Sequence, residues 1–159
     1  MSWQILIPYV SWLGNTGFAQ WLGMSTLRIA GLLTIHLFGL TLLLGSIVVS
    51  SLQLLGIIRL TGVDVRRAVM RGATIGVVVM VTSGLLIFTG GAEAYYAGYW
   101  FRLKMCLLAL ALLFHFTIYR TVAAGGAAGF SPVTAKLTGL ASLALWFGVA
   151  WAGRAIAFF

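Results

Sequence analysis

Four long apolar runs, each bounded by basic residues, constrain what this chain can fold into more than any other feature. They cover approximately residues 29–58, 72–88, 101–119 and 137 to the C-terminus. A helix needs about 20 apolar residues to cross the hydrocarbon core of a bilayer, and backbone inside that core must satisfy its own hydrogen bonds. The sequence therefore predicts four membrane-spanning helices rather than strands.

The composition agrees with an integral membrane protein in contact with the lipid bilayer. Of the 159 residues, 62% are hydrophobic and 8% are charged, whereas soluble domains carry about a quarter charged residues. The single cysteine, Cys106, excludes an internal disulfide framework and a cysteine metal cluster. The net charge is +8, but the basic residues stand at the ends of the apolar runs, where they set topology and meet lipid headgroups. We therefore expect no nucleic acid partner.

The short connections between the runs predict an all-α fold, a four-helix up-and-down bundle spanning residues 28–159. Residues 1–27 carry no charge but contain several tryptophans and Pro8, which predicts an N-terminal segment lying in the membrane interface. A partly ordered tail is the alternative for this segment. Residues 90–100 have the aromatic content of an interfacial belt, and residues 121–133 form a predicted flexible Gly/Ala-rich loop.

The distribution of basic residues predicts the orientation. Six of them fall in the first and third connections, 59–71 and 120–136, and four on the opposite side, and four of the six lie in the single loop 59–71. Cytoplasmic loops are enriched in Lys and Arg. We therefore expect both termini outside, which means periplasmic if the chain lies in a bacterial inner membrane.

Two histidines, His36 and His115, lie within the first and third apolar runs. Ionisable residues inside a membrane are costly, so each is a candidate functional residue. His36 follows Arg28 by eight residues and His115 follows Lys104 by eleven, or about 12 Å and 16 Å along a helix. We therefore expect the two rings at similar depth on helices that face each other across the bundle. Such a pair can hold a haem iron between two imidazoles.

The combination of four helices, histidines on alternate helices and basic residues at the helix ends resembles the small b-type membrane cytochromes of the cytochrome b561 superfamily. It is also similar to uncharacterised bacterial four-helix membrane proteins related to them. The resemblance implies one haem b with bis-histidine ligation by His36 and His115, because di-haem members need four histidines. It implies electron transfer with a quinone or a partner redox protein. The chain would then be an electron carrier or a haem-bearing anchor subunit rather than a self-contained enzyme.

Two further groups of residues are candidates for haem contacts. Gly39, one turn from His36, could leave space for a flat macrocycle, although close helix packing is the favoured explanation for such a glycine. Basic residues on the predicted outer side are candidates to pair with the haem propionates, with anchoring of helix ends as the alternative. They are Arg28, Arg102, Lys104 and Arg154.

Two other functions are compatible with the sequence. One is copper handling, because imidazole, thioether and thiolate groups bind Cu(I); the candidate ligands are His36, His115, Met80, Met105 and Cys106. The other is a structural anchor or assembly factor without a cofactor. In that case the histidines hydrogen-bond only to threonines of the spans, with Thr34, Thr41 and Thr117 as candidates. No nucleophile triad, paired carboxylates or phosphate-binding loop indicates a hydrolase.

Overall fold

The structure is a computed structural model that describes residues 5–125 and 130–158. Within these ranges the chain forms eight α-helices and no strand. The helices are α1 (Ile7–Gly14), α2 (Gly17–Gly23), α3 (Thr26–Leu54), α4 (Val63–Thr89), α5 (Ala92–Ala97), α6 (Tyr99–Phe114), α7 (Arg120–Gly125) and α8 (Pro132–Ala155). A π-helical turn, His115–Tyr119, joins α6 to α7, so that the two form one continuous rod.

Four helical rods are long and apolar enough to cross a bilayer, as the hydropathy of the sequence predicts. They are α3, α4, the rod Tyr99–Ala123 that begins with α6, and α8. The shortest has 24 residues, which corresponds to about 36 Å of helix against a hydrocarbon core of about 30 Å. The predicted all-α fold with four such helices is confirmed.

The second span begins at Val63, nine residues before the position that hydropathy alone predicts. Arg66, Arg67 and Arg71 therefore lie in the first turns of α4 rather than in a loop. Arginine favours helix, and Asp64 in the first turn interacts favourably with the positive end of the helix dipole. The turn before α4 is made by Gly62, whose φ of +97° is costly for other residues.

The described part of the predicted N-terminal segment forms two short helices rather than an irregular tail. Pro8 stands in the first turn of α1, and Thr16 caps α2 by accepting a hydrogen bond from the Ala19 amide at 3.3 Å. Helix α1 packs against α5, and α2 packs against α3. At the opposite end, residues 121–125 of the predicted flexible loop are helical, and residues 126–129 lie outside the described residues.

Helices α3 and α4 form a close antiparallel pair, because glycines remove the side chains that would separate them. A Cβ on Gly76 would stand 2.6 Å from the Leu43 amide nitrogen, and one on Gly39 would stand 2.9 Å from the Met80 amide nitrogen. A Cβ on Gly72 would stand 2.6 Å from Ser46 Oγ. The glycines of this seam therefore serve helix packing.

The other contacts arrange the spans as two antiparallel pairs. Helix α8 packs against both α6 and α3, whereas α4 and α6 make at most marginal contact. The bundle is thus held together through α3 and α8 and is open on the side between α4 and α6. We call the end with α1, α2, α5 and the C-terminal end of α8 the terminal end. The end with residues 55–62 and α7 is the loop end.

Candidate functional site

His36 lies on the face of α3 that packs against α4, where Ser83 fixes its ring. The distance from His36 Nδ1 to Ser83 Oγ is 3.0 Å. Ser83 is buried and its hydroxyl donates its one proton to the Val79 carbonyl at 2.5 Å, so its oxygen accepts from Nδ1–H of His36. In this tautomer the lone pair of His36 is on Nε2. The sequence offered no sign of this bond, because the two partners are 47 residues apart.

Two glycines lie near His36, and their contacts differ. Gly84 lies directly against the ring, since a Cβ at that position would come within 3.1 Å of His36 Cε1. Gly39, the residue that we considered for macrocycle clearance, instead faces the backbone of Met80 and the side chain of Val79. Close packing against α4 therefore explains Gly39, and it opens no space beside His36.

Lys104 brings a positive charge to the same region from α6. Its charge acts on the His36 ring, and its Nζ and Cε lie 3.3 Å from the place where a Cβ on Gly153 would stand. The lysine is half-buried. The sequence contains only two acidic residues, Asp64 and Glu93, and Lys104 forms an ion pair with neither of them in the described ranges. The site therefore combines an imidazole and an ammonium without a neighbouring carboxylate.

Two of the other basic residues predicted at this end make different contacts. Arg28 donates a hydrogen bond to the Trp21 carbonyl and lies 4.0 Å above the Trp21 ring, and Arg154 lies 4.3 Å above the Phe158 ring. Both arginines are exposed. Of these three basic residues, Lys104 is the one whose charge acts on the His36 ring.

Arg102 is half-buried and lines a cavity of about 350 Å³ at the terminal end. Glu93 and Tyr96 line the same cavity, together with residues of α1. This places Arg102 where α1 and α5 meet the start of α6. The predicted role of Arg102 at a haem stays a prediction.

His115 lies in a second cluster, fully buried on the π-helical turn. Its ring stacks on Tyr119 with centroids 5.3 Å apart and meets the edge of Trp146 at 6.1 Å. Both ring nitrogens lack a hydrogen-bond partner among the described residues, as do Ser142 Oγ and Trp146 Nε1. Buried polar atoms are normally paired, and π-helical turns are frequent at functional sites. The cluster is therefore a second candidate site.

Tyr119 connects this second cluster to α3. Its hydroxyl is hydrogen-bonded to Ser50 Oγ, and Ser51 Oγ and the Ile47 carbonyl lie 3.5 Å away. All four residues are buried. These contacts fix the level of the π-helical turn relative to α3.

The position of the π-helical turn along α3 places the two histidines at different depths in the bundle, in contrast to our expectation of similar depth. Ser50 follows His36 by fourteen residues, which is about 21 Å of helix, whereas His115 precedes Tyr119 by only about one turn. His115 therefore lies about 15 Å farther from the terminal end than His36. Two imidazoles on one metal ion place their nitrogens only about 4 Å apart, with bonds of about 2 Å each. The structure does not bring the two histidines together.

The alternative ligand sets are not assembled either. Met105 and Cys106 are exposed on α6, whereas Met80 is buried against α3. The described residues contain no group of three or more His, Cys, Asp or Glu side chains that could hold a metal ion. The threonines considered as histidine partners instead donate to carbonyls of their own helices; they are Thr34, Thr41 and Thr117.

Comparison with known proteins identifies a family but adds no activity. No curated protein and no solved structure matches the chain. The model of a family of unknown function, DUF6644, matches residues 9–159, which include all four spans and both histidines. The chain therefore belongs to the DUF6644 family.

Proposed function

We propose that this chain is an integral membrane protein that carries one haem b at the terminal end of its bundle, where His36 would hold the iron. Its role is that of an electron carrier or a haem-bearing anchor subunit. The observation that supports the proposal is the His36 imidazole, which Ser83 orients and on which the charge of Lys104 acts, while Lys104 forms no ion pair in the described ranges. A haem b bound there supplies one-electron chemistry and two carboxylate groups.

The surroundings of His36 fit a ligand role. Metal-bound histidines normally donate their second ring N–H to a nearby acceptor, which fixes the tautomer and the orientation of the ring. Ser83 provides that acceptor for Nδ1–H, and the lone pair on Nε2 is then available for coordination. Gly84 prevents a side chain of α4 from displacing the ring.

A haem also needs a cation for its two propionate groups, and Lys104 can provide one. A carboxylate beside Lys104 would form a charge-assisted hydrogen bond and offset the cost of an unpaired charge within a span. Arg28 and Arg154 lie over the rings of Trp21 and Phe158, whereas the charge of Lys104 acts on the His36 ring. We assign no ligand role to His115, which is held at the other level by Tyr119.

In this proposal, electrons are exchanged at the membrane surface next to the terminal end. The apolar rods are embedded in a bilayer, with the terminal end on the periplasmic side of a bacterial inner membrane. A quinone or a partner redox protein then meets the haem near that surface. The exposed aromatic side chains of α1 and α2, such as Trp12 and Trp21, suit contact with the membrane interface or with another membrane subunit.

Absorption spectroscopy of the purified protein tests the proposal. After expression with ample haem, the wild type should show a Soret band and a pyridine haemochrome of haem b. His36→Ala should remove the band, whereas His115→Ala should retain it in protein that remains folded. Absence of the band from the wild type refutes the proposal, and equal loss in both variants indicates that the two histidines hold the same iron.

Ser83 is a positioning residue in this proposal, and its effect can be separated from general stability. Ser83→Ala should weaken haem retention by about tenfold, in the range observed for loss of a partner of a metal-bound histidine. The matched control is Thr82→Ala, because Thr82 is exposed on the same helix and bonds only to backbone carbonyls. Similar haem retention in the two variants would show that Ser83 does not orient the ligand.

A further inference from the structure

A basic cavity opens at the loop end, far from His36. It has a volume of about 490 Å³ and is lined by Arg66 and Arg67 of α4 and by Arg120 of α7. The remaining lining includes Met70 and Ala123. The arginines come from two spans that are neighbours in the chain but make at most marginal contact with each other. The cavity therefore lies at the loop end of the open side of the bundle.

The charges in this cavity are poorly balanced. The ion pair found among the described residues joins Arg67 to Asp64 over 3.6 Å, and the Asp64 side chain is 97% exposed. Such a solvated pair is weak. Arg66 and Arg120 have no acidic partner in the described ranges, and Glu93, the other acidic residue of the sequence, lies in α5 at the opposite end. The guanidinium group of Arg120 is only 5.6 Å from the Phe116 ring centroid.

This arrangement favours a phosphate group. Guanidinium groups bind phosphate through paired, charge-assisted hydrogen bonds, and several of them around one cavity can neutralise its charge. Basic pockets between membrane-spanning helices bind the headgroups of anionic lipids. Exposed apolar side chains occur along both α4 and α6, such as Val78 and Leu113, so these helices offer apolar surface that acyl chains can cover.

We propose that Arg66, Arg67 and Arg120 form a binding site for a phosphate group at the loop end, supplied by an anionic phospholipid or by free phosphate. The site is independent of the haem proposal. It is also distinct from the effect of basic residues on topology, since Arg59 and Arg71 contribute to the charge of this end without lining the cavity.

The test compares two double variants with the same change in net charge. Arg66→Gln/Arg120→Gln removes two guanidinium groups of the cavity, and the control Arg59→Gln/Arg71→Gln removes two outside it. Binding is measured with purified protein by thermal stability and by lipid analysis after transfer into phosphatidylcholine nanodiscs, with or without phosphatidylglycerol. A second series adds inorganic phosphate to the protein in phosphatidylcholine alone.

We expect the wild type and the control to be stabilised by phosphatidylglycerol and to enrich it, with about tenfold weaker binding in the cavity variant. Stabilisation by inorganic phosphate alone would identify free phosphate as the source. Equal loss in both double variants, or no response of the wild type to either compound, would overturn the proposal. If the cavity variant does not fold, Arg120→Gln and Arg71→Gln repeat the comparison as single variants.

Discussion

Lys104 places a positive charge within a span where the sequence provides no carboxylate to balance it. Charged side chains inside a bilayer are expensive unless they are paired or reach water. Gly153 leaves room for the end of the Lys104 side chain, and the charge acts on the neighbouring His36 ring. An unpaired charge at this position should cost stability, and an anionic group beside it, such as a propionate of the proposed haem, would offset that cost.

Replacement of Lys104 by methionine should separate these two effects. Lys104→Met should stabilise the haem-free protein, by about 1 kcal/mol, because it removes an unpaired charge from a span. In the haem-loaded protein it should lower haem retention and the reduction potential, since a nearby positive charge favours the reduced state. Thermal unfolding in detergent and a redox titration measure these quantities. The control is Lys136→Met, which removes an exposed charge from α8.

Opposite behaviour would contradict this view of Lys104. If Lys104→Met destabilises the haem-free protein while Lys136→Met does not, Lys104 has a stabilising partner within the chain.

For single residues, the sequence identified the two histidines as candidate functional residues but did not predict which side chains lie around them. Hydropathy reveals an ionisable residue in an apolar run, whereas the direction of its side chain depends on packing between distant helices. The prediction of similar depth rested on Arg28 and Lys104 as markers of the membrane boundary, whereas the contact of Tyr119 with Ser50 indicates a level of His115 nearer the loop end. The partner Ser83 could not be selected from the sequence, since many hydroxyls occur in the spans.

The seam between α3 and α4 is the element that determines the geometry of the His36 site. Gly39, Gly72 and Gly76 allow the two helices to approach until backbone and side-chain atoms touch. The same alignment of α3 and α4 sets His36 opposite Ser83 and Gly84. A side chain inserted into the seam must therefore separate the helices or shift one along the other.

A pair of glycine variants tests this role of the seam. Gly76→Ala should destabilise the protein by about 1–3 kcal/mol, because its Cβ would stand 2.6 Å from the Leu43 backbone. Gly45→Ala is the control, since Gly45 lies in the middle of α3 with no atom within 4 Å of the added Cβ. It should be neutral or stabilising by up to about 1 kcal/mol. Thermal unfolding followed by circular dichroism measures both, and equal effects would show that the seam is not tight.

The sequence predicted the elements more accurately than their ends. Four helices long and apolar enough to cross a membrane follow from run length alone, which is a property of consecutive residues. The start of α4 was placed too late because charged residues end an apolar run without ending a helix. No pattern of apolar and polar residues marks the π-helical turn at His115–Tyr119 in the sequence. Its position along α3 is fixed by the contact of Tyr119 with Ser50.

For the whole molecule, four membrane crossings would place residues 5 and 158 on the same side, and the basic residues predict which side that is. Arg66, Arg67 and Arg120 gather at the loop end. Basic residues at one end favour a cytoplasmic position of that end. A reporter that is active only in the periplasm should therefore be active when it is fused to the C-terminus. Activity of a cytoplasm-dependent reporter at the same position would reverse the orientation, and a fusion within residues 55–62 provides the opposite control.

The open side between α4 and α6 also bears on how the chain is assembled. Each antiparallel pair is closed within a continuous stretch of the chain, residues 26–89 for α3 and α4 and residues 99–155 for α6 and α8. The first hairpin, with His36 and Ser83 already opposed, can thus be complete while the second is still being synthesised. Both the pairing of α8 with α6 and the docking of α8 onto α3 have to wait until α8 has been synthesised, and this late step completes the bundle around the first hairpin.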